Sequence, residues 1–317
     1  MIVTVTLNAA LDRTLTVPNF TRGQRHRASQ GLTLAGGKGI NVARSLKRLD
    51  VPVVATGAAG GRTGIRIVEE LTNEAILNDF VRIAGESRTS TVVVDPMTNT
   101  FTEINEWGPE VSAEELELLA EKIHYLARAG DTVVFAGTLP RAVDDELYGN
   151  FIRDLNRRQI VTVLDSEGMA LRHGVEAEPF LVSPNQSEAE SLVGQELTDD
   201  EDFLMALDAI ADLGARNVLI TVEDGCFALV REERAVRRFQ ARGERLEPIS
   251  TVGSGDALLA GFLAARAQGR PADDALKLAV AAGTASTLEL GAGRFDPREV
   301  SRLASRVELT ELAPATA

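Results

Sequence analysis

Short apolar runs rich in β-branched residues alternate with helical patterns along most of this 317-residue chain. The runs cover residues 3–7, 53–56, 132–135, 161–164, 180–182 and 218–222. They are continuously apolar, which implies burial on both faces of a parallel sheet. Helical spacing falls between them near 39–49, 63–71, 113–127, 144–156, 187–193 and 202–213, and two further helical stretches, 257–267 and 275–288, follow. This alternation predicts a single doubly wound α/β domain over 1–317, with a mainly parallel sheet flanked by helices.

Two stretches break the rhythm, about 9–34 and 88–105. Within the second, 91–95 and 100–104 flank a turn at 96–99 and read as a β-hairpin. A β element added to an α/β core suits a lid over a site, or a dimer surface. The tail, 311–317, is expected to fray.

Charge and composition exclude several classes of function. A formal net charge of −14 argues against general nucleic-acid binding. No run approaches the roughly 18 apolar residues of a membrane span. The start of the chain has no basic leader with an apolar core. The one cysteine, Cys226, permits no internal disulfide and suits a reducing compartment. A cytoplasmic protein is the expectation. His26, His124 and His173 show no metal-ligand spacing.

The chemistry concentrates in Thr251-Val252-Gly253-Ser254-Gly255-Asp256, which opens a helix too rich in Ala, Gly and Leu to be exposed. Gly253, Ser254 and Gly255 let backbone N–H groups gather at the positive end of that helix, an anion hole. A buried helix start without a guest would leave those donors unpaired. Asp256 would repel an anion as a ligand, but beside one it suits a base that deprotonates an attacking hydroxyl.

Other groups are weaker signals. Gly36-Gly37-Lys38-Gly39 precedes Ile40-Asn41-Val42-Ala43-Arg44, so Gly37 could let a ligand approach the backbone and Lys38 could hold a phosphate. A plain loop before a helix fits equally. The spacing is neither a Walker A nor a dinucleotide fingerprint. Asp12, just past the first strand, could accept bonds from sugar hydroxyls or cap a turn. Arg88 at the hairpin entrance suits a phosphate, although surface arginines are numerous here. Asn185 and Glu188 lie three apart at a helix start, a pattern that a capping box explains and that could also orient Mg²⁺ through water.

The order Asn8…Asp12, Gly-Gly-Lys-Gly-Ile-Asn-Val-Ala-Arg (36–44), Gly-Thr-Leu-Pro (137–140), Pro-Asn-x-x-Glu (184–188) and Thr-Val-Gly-Ser-Gly-Asp (251–256) resembles the ribokinase-like PfkB carbohydrate kinases over nearly the whole chain. Within them it is most similar to the branch holding 1-phosphofructokinase and tagatose-6-phosphate kinase. The resemblance implies a ribokinase-like fold with a β lid that often clasps a second subunit, and it implies ATP and Mg²⁺. By the same resemblance, Asp256 is the base, and Gly253, Ser254 and Gly255 form the anion hole. Asp12, Gly37, Lys38, Asn41, Arg88, Ser90, Glu103 and Gly137 would hold the sugar phosphate. Asn185, Thr221, Gly225 and Gly283 would serve the nucleotide, and Glu188 the metal, through water. Fructose 1-phosphate is the first expectation for the substrate. Tagatose 6-phosphate and fructose 6-phosphate are the alternatives, and a non-catalytic sugar-phosphate sensor is the rival from another class.

Three positions depart from the family pattern. Ser183 stands where relatives carry Lys before Pro-Asn. The usual Gly-x-x-Gly after the strand of Thr221 is shortened to Glu223-Asp224-Gly225. Ser90 replaces an Asn two positions after the lid arginine, which bears on which sugar phosphate fits.

Overall fold

A computed structural model of the chain describes residues 1–232 and 235–313. The first third runs β1 (Ile2–Thr6), β2 (Ala10–Thr16), β3 (Gln30–Gly36), α1 (Lys38–Arg48), β4 (Val53–Gly60), α2 (Gly61–Asn73), β5 (Leu77–Ile83), β6 (Arg88–Asp95) and β7 (Thr100–Asn105). The middle runs α3 (Ala113–Leu126), β8 (Thr132–Ala136), α4 (Leu147–Arg157), β9 (Val161–Asp165), α5 (Gly168–Val175), β10 (Leu181–Val182), α6 (Gln186–Val193), α7 (Asp200–Leu213) and β11 (Asn217–Val222). The remainder runs β12 (Gly225–Glu232), β13 (Ala235–Arg242), α8 (Ser254–Ala267), α9 (Ala272–Ser286), α10 (Pro297–Ala304) and β14 (Glu308–Leu312).

Ten strands form one sheet in the order β14-β13-β12-β11-β10-β9-β8-β1-β4-β5. The six expected apolar runs are its parallel centre. Their uninterrupted hydrophobicity has the anticipated cause: all five residues of β1 are buried, with helices on both faces. One core packs α1, α2, α8, α9 and α10 against the sheet, and α3 to α7 contribute to a second.

β5, β12, β13, β14, α5 and α10 were not anticipated. β5 and β14 are the sheet's edge strands and β13 lies next to an edge, so β5 and β13 carry charged residues that mask a strand pattern. The expected fraying of 311–317 is corrected in part. Glu311 and Leu312 belong to β14, which pairs antiparallel with β13, and Glu311 is gripped by Arg237 (2.8 and 3.0 Å). Residues 314–317 of that expectation lie outside the described residues.

A second sheet of four strands, β3-β2-β6-β7, comes from the two irregular stretches. The hairpin pairs as anticipated, with Ser90 opposite Asn105 and Val92 opposite Glu103. All six residues of β7 are exposed.

The topology locates the site. From β1 the chain winds outward through β4 and β5, then restarts at β8 on the other side of β1. Ligands of open α/β sheets bind at the carboxyl ends of the strands beside such a reversal. Here Asn8, after β1, donates to Thr138 Oγ1, after β8, at 3.1 Å and spans that crevice.

Candidate active site

Four loops at strand carboxyl ends, the four-stranded sheet and the starts of α1, α6 and α8 converge on a cleft of about 570 Å³. Every expected substrate residue lines it: Asp12, Gly37, Lys38, Asn41, Arg88, Ser90, Glu103 and Gly137. So do Asn185, Glu188, Thr221 and residues 253–256. A second cavity of about 590 Å³ holds Gly225 and Gly283. The two share Thr221, Thr251, Ser254 and Gly255, so they meet at the start of α8.

That helix start is built by Gly253, whose φ of 82° is left-handed and whose absent Cβ would lie 2.5 Å from Ala292 Cβ. No side chain caps it. The Ser254 N–H turns back to Thr251 O at 3.2 Å. The following N–H groups of the first turn have no intrahelical acceptor. A side chain at Gly255 would meet nothing within 4 Å, so the approach is open. An anion between the cavities would meet these donors and the positive helix end.

Asp256 sits beside that point, 5% exposed, and accepts from Asn41 Nδ2 at 2.8 Å. Burial pushes its carboxyl up to about 7. Asp165 adds to the rise, while Lys38 and the Asn41 bond oppose it. A carboxylate so poised is a stronger base than an exposed one. Asp12 is also pushed up, to about 6, by burial; Arg44 and Arg88 oppose this and Glu103 reinforces it.

Lys38 donates to Asp165 at 2.7 Å and to Glu188 at 3.3 Å. Burial disfavours its charge, but Asp165 and Glu188 more than compensate and hold its pKa above the usual lysine value. The capping box at α6 is real: Glu188 N donates to Asn185 Oδ1 and Asn185 N to Glu188 Oε2. The same Glu188 also lines the cleft, so the capping box does not withdraw it from the site. Burial is the first cause raising its carboxyl. A bridge between Asn185 and Thr221 brings the two cavities' polar groups together.

Arg88 lies on the lid side, donating weakly to Asn8 O (3.3 Å) and Glu106 O (3.4 Å). The Ser90 hydroxyl donates to Asn105 Oδ1, and Asn105 Nδ2 to Glu103 Oε1 at 3.0 Å. Thr6 Oγ1 and Asn8 Oδ1 line the cleft, buried and without partners among the described residues, as a polar guest would require. Ser183 also lines the cleft, nearly fully buried and uncharged. In the second cavity the shortened turn at Glu223 and Asp224 is closed by Arg242 (2.9 Å) and Arg245 (3.2 Å) on Asp224.

Asp165, Asn8, Asn105 and Arg44 were missed. Asp165 had a readable signal, a carboxylate ending an apolar strand just as Asp12 follows one. Asn105 and Arg44 depend on partners distant in sequence, Ser90 for the first and Ala292 for the second.

The fold is that of an α/β phosphotransferase, with an uncapped helix start and a buried carboxylate where two cavities meet. The profile of the pfkB family carbohydrate kinases matches residues 3–298, and the chain belongs to that family. It is 34% identical over 314 residues to a 1-phosphofructokinase of Bacillus subtilis, covering 98% of this chain and 100% of the relative. It is 27% identical to a tagatose-6-phosphate kinase of Staphylococcus epidermidis, covering 98% and 100%. The phosphofructokinase-2 of Escherichia coli, solved in complex with potassium, superposes with a TM-score of 0.89 at 27% identity, covering 96% of this chain and 98% of that one. The chain is thus a sugar-phosphate kinase by family. Among the described residues no helix is long and apolar enough to cross a membrane.

Proposed function

We propose that this kinase transfers the γ-phosphoryl group of ATP to the 6-hydroxyl of fructose 1-phosphate, giving fructose 1,6-bisphosphate and ADP. The observation that carries the reading is the buried Asp256 carboxylate, held by Asn41 beside the uncapped start of α8, where the two cavities join. Asp256 takes the hydroxyl proton, the freed oxygen bonds to the γ-phosphorus, and the bond from that phosphorus to the bridging oxygen breaks as ADP leaves. The backbone N–H groups of Gly255 and Asp256 meet the charge that grows on the transferring group. Asp12 and Asn41 receive the sugar hydroxyls, and Arg88 receives the phosphate already on the sugar. The nucleotide occupies the cavity of Gly225 and Gly283.

Mg²⁺ fits this site through water. Both Glu188 oxygens are engaged, by Asn185 N and Lys38, and the described residues hold no cluster of three metal-binding side chains. Glu188 and Asn185 would hold the hydrated ion against the nucleotide phosphates, where it neutralises phosphate charge.

We read 1–317 as one domain whose four-stranded sheet is both lid and dimer surface. Phe101 is 51% and Ile104 58% exposed on the edge strand β7, which a second copy would cover. The cytoplasm, where ATP is available and a buried free thiol such as Cys226 stays reduced, is the proposed compartment.

A tagatose-6-phosphate kinase is the second reading, motivated by Ser90, which departs from the expected Asn and is tied to Asn105. ADP release measured with fructose 1-phosphate, tagatose 6-phosphate and fructose 6-phosphate decides between them. Highest kcat/KM with fructose 1-phosphate is the expected outcome. Calorimetric binding with no ADP release from any of the three would defeat the kinase reading in favour of a sensor.

A further inference from the structure

Asn41 is a weak point in any account of Asp256. Its amide can face either way, and only one orientation places Nδ2 on the carboxylate. Something must set that orientation. One turn along α1 lies Arg44, nearly wholly buried yet absent from the lining of the main cleft. Its Nη1 donates to Asn41 Oδ1 at 3.2 Å. A guanidinium has donors only, so the atom facing it must be the amide oxygen, and Nδ2 is turned to Asp256.

The guanidinium is itself held from several sides. Nε and Nη2 form a paired contact with Glu74, at the end of α2, at 2.6 and 2.8 Å. Nη2 also donates to Ala35 O at 2.6 Å, just before the glycine loop, and Nη1 to Ala292 O at 3.0 Å. Ala292 is the residue against which Gly253 packs. One buried cation therefore ties together the lid's return strand, the glycine loop, the base's partner and the support beneath the anion hole.

We propose that Arg44 is a positioning residue for phosphoryl transfer, locking the Asn41 amide so that it donates to Asp256 and fixes the direction in which that carboxylate accepts a proton. The inference rests on Asp256 being the base. Asp165 from β9, Lys38 from α1 and Asp12 from β2 also act on Asp256, and Arg44 acts on Asp12, so the test must isolate the Asn41 link.

Removing Arg44 alone would strand Glu74 and could unfold the protein. The pair Arg44→Met with Glu74→Leu removes both charges, and Arg44→Lys keeps the charge without the planar fork. Each is made in the full chain, alone and combined with Asn41→Ala, and assayed with ATP and each of the three sugar phosphates. We expect a loss of roughly 10-fold or more in kcat. The acid limb of the pH profile should move up by about one unit, because the charged form of Asp256 loses a donor. In the Asn41→Ala background neither change should cost anything further. A well-folded Arg44→Lys protein with wild-type kcat and pH profile would overturn the proposal, as would losses that simply add to those of Asn41→Ala. Undiminished kcat in Asp256→Asn would take down the base reading and this inference together, whereas the preceding two results strike Arg44 alone.

Discussion

The balance of charge around Asp256 sets two expectations at the scale of single residues. Its carboxyl is raised from the ordinary aspartate value to about 7. A base must be ionised, so kcat/KM for the sugar phosphate should rise with pH through that region and level off above it. Asp256→Asn should lower kcat by roughly 10²–10⁴-fold. The same shift has a stability consequence of definite sign. A group whose pKa is raised on folding contributes stability that is full below its unfolded value, near 3.8, and is lost as pH rises through the folded value. Ionised Asp256 therefore weakens the fold, and Asp256→Asn should melt higher than wild type at pH 8, with the gap closing towards pH 4. A variant equally stable at pH 8 would show that the site does not penalise the charge. For Arg88→Ala, KM should rise more for the sugar phosphate than for ATP; parallel changes in both would remove Arg88 from the sugar site. All of these residues carried some signal in the sequence. Asp256 was strong because a carboxylate beside a glycine turn, ahead of a buried helix, has few other uses. Glu188 was weak because a capping box needs the same residues, and in the structure the capping pair also lines the cleft.

At the scale of elements, the start of α8 depends on one backbone conformation. Gly253→Ala would force a Cβ into the left-handed region and against Ala292. The expected cost is about 1–3 kcal/mol of stability, read by denaturant unfolding, together with a fall in kcat as the N–H groups lose their aim. Full stability with reduced kcat would instead point to a purely local adjustment of the helix start. The central strands were legible because burial on both faces leaves nothing but apolar residues. β5, β13 and β14 were not, since charged and polar residues on strands at or near a sheet edge resemble loops until a neighbour is known. α5 has no side-chain cap to mark its start, unlike the equally short α6 with its Asn185–Glu188 box, whereas α10 opens on an Asp296 cap and Pro297 that were legible.

For the whole molecule, the proposed lid interface would link assembly to catalysis. β7 exposes Ile104 on one face, while Phe101, Glu103 and Asn105 on the other line the main cleft. If a second copy covers that strand, the double variant Phe101→Asp with Ile104→Asp should sediment as a monomer. It should also bind the sugar phosphate more weakly while leaving KM for ATP nearly unchanged, because the nucleotide cavity holds no lid residue. Wild type sedimenting as a monomer at micromolar concentration would remove the lid as a dimer surface.

Local rules were enough to determine the parallel centre of the sheet, the glycine-led helix start and the presence of a carboxylate beside it. Each follows from neighbours within a few positions, through burial pattern, backbone freedom or capping. Tertiary structure alone decided which distant groups meet. Asp165 and Glu188 close on Lys38 from 127 and 150 positions away, Asn41 reaches Asp256 across 215, and Arg44 reaches Ala292 across 248. Those contacts are set by how the strands order themselves in the sheet, and strand order depends on packing of the whole chain, which no short window of residues contains.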